Sequence, residues 1–188
     1  MRVIAGTARG HKLSAVPGNR TRPTADRVKE AVFNKIGPFF DGGVGLDLFA
    51  GTGGLGIEAL SRGLDKVVFI DRDRAAWATI RKNLAATNLS EKAEVYCTDA
   101  LKALRLFKRR HCQFDLIFLD PPYNKNALRP VLEQVARCSV LRPNGVIVVE
   151  HTEDETIPNQ VADLDRNFTR RYGNVHISLF QHCDKAAL

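Results

Sequence analysis

Asp47-Leu48-Phe49-Ala50-Gly51-Thr52-Gly53-Gly54-Leu55-Gly56 joins an apolar run at 44–49 to a helical pattern at 55–62 that Gly63 closes. Gly51, Gly53 and Gly56 spell G-x-G-x-x-G between a strand and a helix. Glycines there let the backbone pass close to a ligand and leave a helix N-terminus free for an anionic group. A loop of this kind marks the first βα unit of a Rossmann-like sheet.

Outward from the loop the same alternation repeats. Residues 66–70, 93–97, 114–119 and 146–150 read as strands; residues 74–87, 100–109 and 128–138 read as helices. Repeated βα units predict an α/β fold with helices on both faces of a sheet. Period-2 segments over 167–181 flank Gly173-Asn174 and predict an antiparallel C-terminal hairpin. The expected architecture is a Rossmann-like, seven-stranded, mostly parallel sheet. Upstream, residues 2–13 read as a short hairpin turning through 6–10, and Pro17-Gly18-Asn19 as loop. Thr24 is a suitable N-cap for a helix carrying Val28, Ala31, Val32 and Ile36, which Gly37-Pro38 ends. The expected organisation is a basic hairpin-helix extension over 1–40 and an α/β domain over 41–188.

Four strand ends carry the candidate chemistry. The glycine loop alone suits either a dinucleotide or S-adenosylmethionine. Asp71, twenty residues past Gly51, can accept ribose hydroxyls in both readings. Asp47, just before the glycines, separates them: it would repel a pyrophosphate and attract an α-ammonium. Asp99-Ala100 follows the third strand, where a side chain can accept from an adenine amino group, or simply cap the next helix. No tyrosine has a lysine four residues on, as many dehydrogenases do.

The fourth strand end is Asp120-Pro121-Pro122-Tyr123. Two prolines in a row make a stiff, extended corner with free carbonyls. The carboxylate and those carbonyls can hold a planar –NH₂ group, while the tyrosine ring stacks on the flat face that bears it.

Charge points to a polyanion. The chain of 188 residues carries a formal +7. Residues 1–40 hold eight basic residues and two acidic ones, whereas 41–188 hold twenty and nineteen. A basic leading segment on a nearly neutral body predicts a nucleic-acid partner met at that end. The hydrophobic fraction of 44% is enough for a core. No stretch is apolar for the ~20 residues a membrane span needs. The four cysteines lack metal-ligand spacing, so no metal is expected. These readings together predict a cytoplasmic monomer.

With these residues in place the chain resembles a class I S-adenosylmethionine-dependent methyltransferase of the amino-methylating kind. The resemblance implies that Asp47, Phe49, Gly51 and Gly53 hold the cofactor, with Asp71 on its ribose and Asp99 and Ala100 at its adenine. It makes 41–188 the methyltransferase domain, and Asp120, Pro121, Pro122 and Tyr123 the catalytic D-P-P-Y. Arg22-Pro23-Thr24-Ala25-Asp26-Arg27-Val28-Lys29-Glu30-Ala31-Val32-Phe33-Asn34 is similar to a block of the bacterial RsmD family. So are the opening R-V-I-A-G-x-x-R-G-x-K-L and the run from Leu55 to Gly63. Lys29 stands where that family usually has arginine, and Ala5 where a second glycine is common.

The family's members methylate guanine N2 in small-subunit (16S) ribosomal RNA. That implies S-adenosyl-L-methionine as cofactor and 16S RNA, the 30S subunit or an assembly intermediate as partner. Arg9, Arg20, Arg22, Thr24 and Arg27 are the candidate RNA contacts, with Arg22 and Thr24 closing over cofactor or base. Arg27 and Lys29 also fit the wet face of a helix. An adenine-N6 DNA methyltransferase would use the same four strand ends but usually adds a target-recognition region. A protein-glutamine methyltransferase typically has asparagine in place of Asp120, and a catalytically inactive RNA-binding module would not need D-P-P-Y intact.

Overall fold

The computed structural model describes residues 1–18, 26–121 and 128–183. The chain forms two compact units, Met1–Ala100 and Leu101–Leu188.

The first unit is built on three parallel strands, β1 (Val44–Asp47), β2 (Lys66–Asp71) and β3 (Ala93–Cys97), in the order β3-β2-β1. Helices α1 (Asp26–Ile36), α2 (Gly54–Ser61) and α3 (Arg74–Ala86) accompany them. Leu46, Val67, Phe69 and Ile70 are buried to within 1%. A parallel strand covered on both faces needs such a continuous apolar run, and each large side chain so buried is worth ~1.5–3 kcal/mol. α3 begins where the Asp73 carboxylate accepts from the Ala75 N–H at 2.8 Å.

The expected N-terminal hairpin is present. Arg2 pairs antiparallel with Lys12, and the Val3 N–H donates to the His11 carbonyl at 3.0 Å. Gly6 and Gly10 turn it at φ +83° and +87°. α1 ends at Gly37, φ +129°, as its sequence predicts. The N-cap expected at Thr24 lies outside the described residues.

The second unit orders its strands β4-β5-β8-β7-β6. β4 (Phe114–Leu119) and β5 (Leu141–His151) are parallel; β6 (Gln160–Val161), β7 (Leu164–Tyr172) and β8 (Val175–His182) are antiparallel. Helix α4 (Ala100–Arg109) leads into this unit, and α5 (Leu128–Cys138) lies between β4 and β5 in the chain. Tyr172 faces Val175 across a two-residue turn with Gly173 at φ +65°, the hairpin that Gly173-Asn174 predicts.

Eight strands stand among the described residues, where seven were expected, because the two-residue β6 pairs with the start of β7. β5 also begins five residues early. Leu141 pairs with Phe114, the register then shifts, and residues 142–144 are exposed before Val146 meets Leu116. Such an interruption hides the strand from a period-2 reading. Among the described residues no helix is long and apolar enough to cross a membrane.

Candidate active site

Asp47, the last residue of β1, is 3% exposed. Its Oδ2 accepts from the N–H of Gly56, in the first turn of α2, at 3.0 Å. Burial pushes its carboxyl up from 3.8 to about 7, and the nearby Asp71 carboxylate adds to the rise; the Gly56 N–H opposes both. A buried carboxyl poised this way is a ready counterion for a ligand cation.

The three loop glycines have different jobs. Gly51 sits at φ +53°, with open space where a side chain would point. Gly53 is the left-handed N-cap of α2 at φ +79°, and its N–H donates to the Ala50 carbonyl at 2.6 Å. A Cβ on Gly56 would lie 2.3 Å from Cε1 of Phe69. The third glycine therefore serves helix–strand contact, while the first two shape the turn. Phe49 is half-buried in the same turn.

Asp71 ends β2 and is half-buried. Its Oδ2 accepts from the Gly51 N–H at 2.8 Å and its Oδ1 from the Asp73 N–H at 2.9 Å. Each oxygen keeps a second lone pair, so the residue can hold the glycine loop and still accept from a diol. The Thr98 N–H donates to the Asp71 carbonyl at 2.9 Å, which draws the chain before Asp99 to the end of β2. Asp99 is half-buried, and Ala100 opens α4. Asp47, Phe49, Gly51, Gly53, Asp71, Asp99 and Ala100 thus all fall within the first unit.

In the second unit Asp120 follows β4 directly and is half-buried, and Pro121 is buried. Pro122 and Tyr123 lie outside the described residues. Of the candidate RNA contacts, Arg9 and Arg27 are exposed, whereas Arg20, Arg22 and Thr24 lie outside the described residues.

Lys29 departs from expectation. It is wholly buried, not on the wet face of α1 and not open to a phosphate. Its ammonium pairs with Oε2 of Glu58 at 3.2 Å and donates to the Arg2 carbonyl. Burial holds the Lys29 ammonium below its ordinary pKa, outweighing the pull of Glu58. Glu58, also wholly buried, accepts from the N–H groups of Ile4 at 2.8 Å and Ala5 at 3.0 Å, and from Nε of Arg62 at 2.7 Å. This network fastens the basic hairpin to α2, the helix that starts at the glycine loop. Arg2, a second cation of the leading segment, pairs with Asp26 at 3.2 Å.

Asn83 makes a parallel link. It is 1% exposed. Its amide accepts from the Ser14 N–H at 2.8 Å and donates to the carbonyls of Ser14 at 3.1 Å and Thr52 at 2.9 Å. The leading segment and the glycine loop therefore share one side chain on α3. Sequence reasoning missed both links. Glu58 and Arg62 at i, i+4 signal the first, and a polar Asn83 on the Ala76-Thr79-Ile80-Leu84 stripe of α3 signals the second.

Comparisons with known proteins agree with this geometry. The family model described as Conserved hypothetical protein 95 matches residues 1–181. The putative rRNA methyltransferase YlbH of Bacillus subtilis is 46% identical, over 96% of this chain and 98% of that protein. The ribosomal RNA small subunit methyltransferase D of Haemophilus influenzae is 39% identical, over 84% and 81%. The solved structure of the putative methyltransferase yhhF from Escherichia coli superposes with a TM-score of 0.80 at 34% identity, covering 97% of each chain.

Proposed function

Because the chain belongs to the Conserved hypothetical protein 95 family, which includes the ribosomal RNA small subunit methyltransferase D proteins, we propose that it methylates the N2 amine of a guanine in 16S ribosomal RNA from S-adenosyl-L-methionine. The buried Asp47 at the mouth of the glycine loop carries this reading. A carboxyl pushed to about 7 by burial gains most from a cation, and the cofactor's α-ammonium is one. With the Gly56 N–H taken by Asp47, the N–H groups of Gly54 and Leu55 at the start of α2 suit the amino-acid carboxylate beside it. Asp71 would take the ribose hydroxyls, and Asp99 with Ala100 the adenine. Phe49, Gly51 and Gly53 form the turn around them.

The cofactor supplies a methyl on a sulfonium, so the N–C bond forms as the S–C bond breaks and the electron pair returns to sulfur. The protein's own task is to prepare the amine, whose lone pair is delocalised into the ring. Asp120 and the Pro121 carbonyl accept from its two N–H groups, favour a more tetrahedral nitrogen and hold it in line. Asp120 takes the proton once the nitrogen has become cationic and its N–H strongly acidic. Tyr123 stacks on the unstacked base. Of the exposed residues, Arg9 and Arg27 meet backbone phosphates, and Arg20, Arg22 and Thr24 complete the approach of the RNA. The acting form is a cytoplasmic monomer that meets 16S RNA free, in a precursor or in the 30S subunit.

Mapping modified guanines in ribosomal RNA from cells lacking the protein tests the reading, with Asp120→Ala in a complementing copy. The N2-methyl mark should vanish in both strains, while purified Asp120→Ala binds the cofactor within about tenfold of wild type, a ~1.4 kcal/mol window. An unchanged mark, or transfer to duplex DNA with none to ribosomal RNA, refutes it.

A further inference from the structure

Helices α4 and α5 of the second unit flank an open groove of about 730 Å³ lined by Lys102, Arg105, Lys108, Arg109, Gln134, Arg137 and Cys138. Ligand pockets of this size are usually apolar with a few polar groups. This lining holds five cations and no carboxylate. All five are exposed. Among the described residues no carboxylate forms an ion pair with Arg105, Lys108, Arg109 or Arg137, whereas Glu133 on α5 is taken by Arg129 at 3.0 Å. The Lys108 ammonium donates to the Arg137 carbonyl at 3.0 Å, which ties the two walls together.

The sequence around the groove is equally one-sided. Residues 101–113 contain Lys102, Arg105, Lys108, Arg109 and Arg110 and no acidic residue. The near-neutrality of 41–188 conceals this: outside 101–113 that region holds fifteen basic and nineteen acidic residues. Helix-dipole compensation explains cations in a last turn, here Lys108, Arg109 and Arg137. It does not explain Lys102 and Arg105, which stand one to two turns earlier on the same face.

We propose that this groove is a second RNA-binding surface, which grips the phosphate backbone of the substrate away from the modified base. The proposal rests on the reading of the protein as a ribosomal RNA methyltransferase. Three guanidinium forks match phosphate oxygens pairwise, and the groove is too cationic for an uncharged ligand. It also replaces charge that the leading segment does not present, since Lys29 is buried and Arg2 is paired.

The test compares two full-length triple variants of equal charge. R105Q/R109Q/R137Q empties the groove of its arginines. R129Q/R142Q/R171Q removes three exposed arginines that are each paired with a carboxylate elsewhere, on Glu133, Asp115 and Glu153. Anisotropy with labelled 16S RNA from 50 to 200 mM salt reads the affinity and its salt slope. Thermal melting and cofactor titration check that each variant is folded.

Each phosphate contact contributes about 0.7–0.9 to the slope. The groove variant should lose about 2 units of slope and at least tenfold in affinity, and the KM for RNA should rise with kcat within twofold. The control should keep its slope. Equal losses in both variants, or none in the groove variant, overturn the proposal. So does binding to phosphatidylglycerol vesicles or to an acidic ribosomal protein that depends on the groove arginines while binding to RNA does not. Wild-type protein that binds RNA through the groove yet transfers no methyl to it overturns the functional reading and leaves the groove standing.

Discussion

Titrating Asp47 should move cofactor affinity and protein stability in opposite directions. Its carboxyl is pushed from 3.8 to about 7, chiefly by burial. Only the carboxylate pairs with an α-ammonium, and the ammonium itself loses its proton near 7.8. The product of the two fractions peaks near pH 7.4, where about half the encounters have both charges. It falls about sixfold by pH 6 and about fiftyfold by pH 5 on the Asp47 limb, and about ninefold by pH 9 on the ligand's. Isothermal titration across this range, repeated in buffers of different ionisation enthalpy, reads both the affinity and the proton released on binding.

The sign for stability is the reverse. The folded carboxyl has the raised value, so the folded state holds more protons than the unfolded chain between 3.8 and about 7, and stability falls as pH rises through that window. The gap is worth roughly 4 kcal/mol at most. Asp47→Asn removes it. The variant should melt higher than wild type at pH 8 and bind the cofactor at least tenfold more weakly, with the acidic limb gone from its profile. Flat wild-type affinity between pH 5 and 7.4, or an Asn variant that melts lower, would refute the reasoning.

Glu58→Gln leaves Lys29 and Arg62 buried with no counterion and should cost about 3–5 kcal/mol; a melting temperature within 2 °C of wild type would contradict that. Adding Lys29→Met to it should cost less than the sum of the two singles, read by a double-mutant cycle. Gly56→Ala forces a Cβ onto Phe69 at 2.3 Å, whereas Gly51→Ala meets open space and only backbone strain. Urea unfolding should therefore show the larger loss for Gly56→Ala, about 1–3 kcal/mol or more, and about 1 kcal/mol for Gly51→Ala. Asn83→Ala should weaken cofactor binding severalfold without touching the ligand, because it releases the Thr52 carbonyl; titration calorimetry reads this, and unchanged affinity denies the link.

The βα alternation was legible because β1, β2 and β4 are short, mostly apolar runs, the first four strands each have an aspartate at or just past their ends, and α3, α4 and α5 keep an apolar stripe. Asp47, Asp71 and Asp99 were legible for the same reason: they stand at those ends. The interrupted start of β5 and the two-residue β6 carry too few residues for a period to show. The burial of Lys29 was hidden for a different reason. A lysine's default place is water, and here it is overruled by the Glu58 carboxylate on α2 together with the Arg2 carbonyl of the leading hairpin. Charge counted over long segments likewise blurred the five cations of α4 and its end into a neutral average. The motif names three glycines without separating their roles, and the fold shows that Gly56 is the one that packs against a strand, at Phe69.

The anchoring of the leading hairpin also bears on how the chain is made. Ile4, Ala5 and Ala8 find their acceptors on Glu58 and Ser61, 53 or 54 positions later. At ~5–20 residues per second of synthesis, the hairpin waits several seconds before those acceptors exist. Contacts so distant in sequence form only after a long loop has closed. The hairpin therefore docks after α2 has formed. During that interval it is a basic, unfastened tail beside ribosomal RNA, the same polymer the finished enzyme is built to modify.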